Sequence, residues 1–201
     1  MVPPPVRPRP TLRRLTHGDR GAFLEAVARS RVLHHPWAYP PDTPGAFDAY
    51  IKVHPARHAL AVVVDHEDPL VGVYALSQIH RGSFRNAYLG YYAFLPHAGN
   101  GYMREAMTLV FRYAFGELRL HRLQANVQPG NERSLALLRS TGWREEGYAR
   151  RYLKVGGRWR DHLLFAILAE DVRFPVRGQR PVYDRRRPRT RPSDATEPTG
   201  G

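Results

Sequence analysis

Apolar residues recur along this chain at two spacings, and the switches between them divide it into elements. "TLRRLT", from Thr11, alternates over a few residues and reads as a short edge strand. Thr16 or Asp19 can cap the helix that follows, whose apolar face is Phe23, Leu24, Val27 and Ala28 at three-and-four spacing. The pattern then breaks at "RVLHHPWAYPPD", where three prolines, two histidines and two large aromatics predict a loop with more apolar surface than solvent demands. Thr43 and Pro44 open a second helix through Ala46, Phe47, Tyr50 and Ile51.

Three β-branched and apolar runs come next. "HALAVVVD" and "LVGVYALSQI" flank "HEDP", a turn signal that predicts an antiparallel hairpin, and "NAYLGYYAFL" is the third strand. From Tyr102 the helical spacing returns in Met103, Ala106, Met107, Val110, Phe111, Ala114 and Phe115. "RLQANVQ" predicts a strand, and "PGNERSLALLRSTGW" a helix opened near Asn131 and stopped by Gly142. "REEGYARRYLKVGGRWRDHLLFAIL" predicts two strands joined at Gly156-Gly157. The order is strand, two helices, three strands, helix, strand, helix, two strands. That is an α/β chain with a mixed, mostly antiparallel sheet and helices on both faces.

Composition changes this picture at the ends. Half of the first ten residues are proline and predict a disordered lead, residues 11–172 hold the folded domain, and 173–201 form a disordered arginine-rich tail. The net charge is +13, with Lys52 and Lys154 the only lysines; residues 173–201 supply eight arginines against three acids, or +5 of that total. A chain this basic favours an anionic partner, whether ribosome, RNA or a polyanionic cofactor. No cysteine is present, which excludes disulfides, thiolate nucleophiles and cysteine metal sites. No apolar run approaches the roughly eighteen residues of a membrane span, and the N-terminus lacks a secretory pattern, so the expected location is cytoplasmic with no membrane partner. The ten histidines never fall at i, i+4 with a glutamate between them, and no metal site is expected.

The candidate chemistry begins at "HAGNGYMREAM". Gly99-Asn100-Gly101 sits between a strand and a helix, where successive backbone N–H groups and the helix dipole can seat a pyrophosphate; the same dipeptides also make a plain turn. No Gly-Lys-Ser/Thr follows, which excludes a Walker loop, and Arg104 stands where a dinucleotide fingerprint needs its third glycine. A second block, Asn131-Glu132-Arg133-Ser134, is followed eight residues after the serine by Gly142-Trp143.

These two blocks, in this order and spacing, resemble the GNAT superfamily of acetyl-CoA-dependent N-acetyltransferases. The superfamily signature Gln/Arg-x-x-Gly-x-Gly/Ala reads here as Ala98-Gly99-Asn100-Gly101-Tyr102-Met103, with departures at Ala98 and Met103. "GSFRNAYLGY", "ANVQPGNERS", "GWREEGYARRYL" and "GRWRDHLLFAIL" narrow the resemblance to the ribosomal-protein-alanine N-acetyltransferases, over about Leu12 to Leu168.

The resemblance implies acetyl-CoA as co-substrate, held by Phe94, Leu95, Gly99, Asn100, Gly101, Tyr102, Met103, Asn126 and Asn131. It places His35, Trp37, Tyr39 and Tyr91 beside the acceptor amine. Ser134 is implied as the acid that protonates the leaving thiolate, since Leu138 stands where many relatives carry a tyrosine. The general base stays open: the glutamate proposed in related enzymes falls on Leu153, which leaves Glu146 first, then Asp161, His162 and Glu105. An α-amine with a pKa of about 8 is about a tenth neutral at pH 7, so the base has modest work. The acceptor is expected to be the N-terminal alanine of a ribosomal protein. A small-molecule amine, or a module that binds acetyl-CoA or RNA without turnover, is the alternative.

Overall fold

The computed structural model describes residues 8–52, 58–64 and 70–172. The proline-rich lead as far as residue 7, the "HEDP" turn and the arginine-rich tail lie outside the described residues. Seven strands form one sheet in the order β1-β2-β3-β4-β5-β7-β6. They are β1 (Thr11–Arg14), β2 (His58–Val63), β3 (Leu70–His80), β4 (Asn86–Ala93), β5 (Arg122–Val127), β6 (Arg144–Val155) and β7 (Arg158–Leu168). Every neighbouring pair is antiparallel except β4 and β5. β1 is an edge strand, as its short alternating run predicts, and β2 with β3 pair antiparallel as expected.

The helices divide between the two faces. α1 (Arg20–Arg29) and α3 (Pro44–Lys52) cover one, where the tilted rings of Phe23 and Phe47 pack with centroids 4.9 Å apart and meet Val73 and Phe94 of the sheet side. α4 (Tyr102–Phe111) and α5 (Glu132–Ser140) cover the other, burying Met107, Val110, Leu135 and Leu138 against Leu76, Leu123 and Phe165. α4 continues as a π-helical turn over Arg112–Glu117. Burying apolar side chains on both faces contributes about 25 cal/mol per Å² and is what holds the sheet between its helices.

Two expectations need correction. Ala28 is exposed, and the buried stripe of α1 is Phe23, Ala26 and Val27, continued by Ser30 one turn on. Ser30 is polar yet fully buried because its hydroxyl accepts the Leu95 N–H at 2.9 Å. The stretch read as loop after α1 contains a short helix, α2 (Arg31–His34), before the chain straightens toward Thr43.

Candidate functional site: the opening between β4 and β5

β4 and β5, the one parallel pair, hydrogen-bond only over Asn86↔Arg122, Ala87↔Leu123 and Tyr88↔Gln124. Beyond that β4 runs to Ala93 and β5 to Val127 without pairing, so the sheet opens at the ends of these strands. In the antiparallel β3–β4 ladder the Phe94 N–H donates to Val71 O at 2.8 Å, which sets the alternation. Every second residue back from Phe94 faces β3, and the backbone groups of Leu89 and Tyr91 therefore face the opening. Unpaired strand edges of this kind accept an extended ligand as if it were another strand.

The glycine turn closes one side. Gly99 has φ +89° and Gly101 φ +80°, values that favour glycine, and a Cβ at Gly99 would meet no atom within 4 Å. Gly101 is the N-cap of α4 and, having no side chain, supplies no side-chain capping bond to the first turn of this ten-residue helix, whose N-terminal end carries the positive pole of the helix dipole. The side chains of Tyr102 and Met103 are committed to the fold. The Tyr102 side chain is buried, and Met103 Sδ packs where a Cβ on Gly72 would stand 2.5 Å away. Asn100 is exposed at the tip of the turn.

The β5–α5 junction forms the opposite side. Asn131 caps α5, its side-chain oxygen accepting the Ser134 N–H at 3.3 Å, which leaves its amide NH₂ as the group able to reach a ligand. Ser134 Oγ lies 2.6 Å from the Tyr91 hydroxyl, a contact that joins α5 to β4. Burial raises the Tyr91 pKa above its ordinary value, partly opposed by the Ser134 hydrogen bond, and the phenol stays protonated. Asn126 is half-buried on β5, opposite Leu164 of β7.

For the acetyl-CoA that the resemblance implies, the residues fit in three respects. An open glycine turn stands before an uncapped helix, β4 has unpaired backbone at Leu89 and Tyr91, and Ser134 presents a hydroxyl beside it. Two further residues of the expected set have their backbone groups engaged within the fold. Phe94 is buried, its N–H bonded to Val71 and its carbonyl to Ala98 N at 2.9 Å. Leu95 has its N–H on Ser30 and its carbonyl on Arg29 Nε at 2.9 Å. Both spend their backbone groups on holding β4 against β3 and α1, and the free edge lies farther back along the strand.

The acceptor-side residues divide. Trp37 is half-buried, its carbonyl accepts Gln128 Nε2 at 3.1 Å, and a Cβ on Gly130 would stand 2.9 Å from its ring. The Tyr39 ring lies over Gly156 at the β6–β7 turn, so the segment from His35 to Tyr39 is seated against both the β5–α5 loop and the hairpin tip. His35 and Tyr39 are exposed, their rings 5.7 Å apart. They line an open depression of about 530 Å³ together with Val27, Arg31 and Asp42, which neither Ser134 nor Tyr91 borders.

Glu146, Asp161 and His162 each hold partners of their own. Glu146 makes a two-pronged ion pair with Arg122, reaching past β7 to the start of β5. Arg122 and Val127 stand at opposite ends of that strand, about 17 Å apart at 3.4 Å per residue, so Glu146 sits away from the open end. Asp161 accepts from the Tyr148 hydroxyl and from Arg151 N at 2.8 Å, and these bonds hold its carboxyl below the usual range. His162 is buried, with Nδ1 3.0 Å from Arg160 O, and burial lowers its pKa. Sequence reasoning missed His34, which is buried with Nε2 2.8 Å from Ala93 O. A carbonyl accepts, so Nε2 carries the proton, and a histidine beside a proline-rich run gave no periodic signal for this bond.

Residues 9–144 match the acetyltransferase (GNAT) domain family. The chain is 45% identical over 105 residues to the probable N-acetyltransferase YjcK of Bacillus subtilis, covering 52% of this chain and 58% of that protein. It is 43% identical over 105 residues to the [ribosomal protein uS5]-alanine N-acetyltransferase of Escherichia coli, covering 52% and 54%. The chain thus spans little more than half the length of these curated relatives. Mycobacterium smegmatis RimJ in complex with CoA-disulfide superposes with a TM-score of 0.73 at 27% identity, over 83% of this chain and 88% of that one. With that family match covering more than half of the sequence and the open β4–β5 edge beside its glycine turn, the chain belongs to the GNAT acetyltransferase family.

Proposed function

We propose that this protein transfers the acetyl group of acetyl-CoA to an N-terminal α-amine, with the N-terminal alanine of a ribosomal protein as acceptor. The observation that carries the reading is the opening between β4 and β5, with the glycine turn on one side and Ser134 on the other. Bound acetyl-CoA supplies an activated thioester. The backbone N–H groups from Gly99 to Met103 bind its pyrophosphate, and Leu89 and Tyr91 orient the extended arm through backbone bonds. Asn131 reaches the arm with its amide, and Asn126 stands across from it on β5. Ser134 gives its hydroxyl proton to the departing sulfur. The amine attacks in its neutral form and releases its proton to water.

The named activity of the Escherichia coli relative supports the alanine acceptor, and the charge of +13 supports docking on an anionic ribosomal surface in the cytoplasm. Purified protein is to be titrated calorimetrically with acetyl-CoA, then incubated with it and an alanine-terminated ribosomal-protein peptide or spermine, and the products weighed. Acetylated peptide and untouched spermine are expected. Acetylated spermine alone would sink the acceptor, turnover of neither would favour a binding module, and absent acetyl-CoA binding would sink the whole reading.

A further inference from the structure

The contact between Tyr91 and Ser134 goes beyond placing a tyrosine near the acceptor. A serine hydroxyl carries one hydrogen and rotates freely, so an acid made from it works only when that hydrogen points at the leaving atom. Tyr91 Oη has two oxygens in reach, Ser134 Oγ at 2.6 Å and Ser134 O at 3.4 Å. The carbonyl is distant and already serves the helical bonding of α5, whose turn runs from Ser134 to Leu138. Either hydroxyl can donate in the short bond; the arrangement that leaves the serine's own hydrogen free for the leaving atom has the phenol as donor and Oγ as acceptor.

The phenol is itself held in place. Its ring packs at 5.5 Å from that of Tyr74, which is fully buried and donates its hydroxyl to Met103 O at 2.7 Å in the first turn of α4. The chain Met103–Tyr74–Tyr91–Ser134 thus links the glycine-turn helix to α5 across the opening.

We propose that Tyr91 is the positioning residue for Ser134: its hydroxyl donates to Ser134 Oγ, turning the serine's own hydrogen toward the sulfur of coenzyme A and making that hydrogen more acidic. This rests on Ser134 acting as the acid. Proton and electron count balance: the carbon–sulfur bond breaks with its pair on sulfur, Ser134 protonates the sulfur, and water that has taken a proton from the acceptor nitrogen restores Ser134. Burial keeps the phenol protonated through the working pH range, so the donor direction does not reverse. A donor behind a donor also polarises the second hydroxyl, which strengthens its bond to a thiolate.

The test reads the thiol of bound coenzyme A by its ultraviolet thiolate absorbance across pH, and needs no acceptor. In the wild type, the bound thiol is expected to titrate below its free value. Tyr91→Phe, which keeps the ring and loses the hydroxyl, is expected to raise that midpoint by about one unit, a tenfold change in acidity. Ser134→Ala is expected to raise it at least as far, and the double variant to match Ser134→Ala alone. In turnover, kcat is expected to fall about tenfold in Tyr91→Phe with KM for acetyl-CoA unchanged. A bound thiol that titrates identically in wild type and Tyr91→Phe overturns the inference, as does a double variant whose shift is the sum of the two. A midpoint unmoved by Ser134→Ala removes Ser134 as the acid, and wild type that fails to bind coenzyme A removes the site; either result takes this inference with it.

Discussion

Gly99 and Gly82 form a matched pair for testing the cofactor seat. Both have positive φ, +89° and +69°, and at both a Cβ would meet nothing within 4 Å. Changing either to alanine adds one methyl in a left-handed backbone conformation, which costs about 1–2 kcal/mol in the native state. The unfolded chain loses some freedom as well and returns part of that, so each variant should melt within a few degrees of the other, about 2–4 °C below wild type per kcal/mol. They differ in what lies beyond the methyl. At Gly82, in the β3–β4 turn, it points into solvent; at Gly99 it enters the space in which the pyrophosphate is proposed to sit. A methyl crowding a closely packed ligand costs about 1–3 kcal/mol, or roughly tenfold to a hundredfold in Kd.

Thermal melts with coenzyme A convert this into a second readout. At a ligand concentration of about 100 Kd, wild type and Gly82→Ala should each gain about 2.7 kcal/mol. Gly99→Ala, with Kd raised tenfold at the same concentration, should gain only about 1.4 kcal/mol. Calorimetric titration gives Kd directly. Equal coenzyme A affinity in the two variants would refute the placement of the pyrophosphate at Gly99, because the backbone cost is shared and only the ligand contact differs.

Three further outcomes follow from the geometry. Glu146→Gln is expected to leave acetyl transfer unchanged and to lower stability by less than about 1 kcal/mol, since its partly exposed ion pair with Arg122 is a weak contributor; a collapse of kcat would restore Glu146 as the base. Gly156→Ala puts a methyl into the Tyr39 ring at φ +56° and is expected to raise KM for the acceptor several-fold while acetyl-CoA Kd holds, as measured by peptide kinetics and calorimetry. Burial lowers the pKa of His34 from 6.5, so between the folded and unfolded values the unfolded chain holds the extra proton, and stability falls as pH drops below about 6.5. His34→Gln, which can still donate to Ala93 O, should make that slope shallower in melts from about pH 5 to 8; an unchanged slope would show that His34 is not a source of it.

What could be read from the sequence was what is local along the chain. The glycine turn, the cap at Asn131 and the hairpin at Gly156-Gly157 each follow from one residue's backbone freedom or one side chain's reach, and each stands where the residues place it. On α1 only Ala28 was misplaced, because periodicity counts apolar residues and the stripe there ends in a serine that is buried with its hydroxyl accepting the Leu95 N–H of a distant segment. The backbone groups of Phe94 and Leu95 are used by Val71, Ser30 and Arg29, and no spacing rule reports which edge of a strand is free. Glu146 lies close in sequence to Ser134 but is drawn away because β7 inserts between β5 and β6, and the resulting order lets a β6 carboxylate reach Arg122 at the start of β5. Tyr91 and Ser134 are 43 residues apart and meet only because β4 and β5 part after Tyr88. The interruption in pairing that opens the sheet to a cofactor is therefore also what brings the serine and the tyrosine within one hydrogen bond. A substitution that extended the β4–β5 ladder past Tyr88 would remove the seat and the acid together.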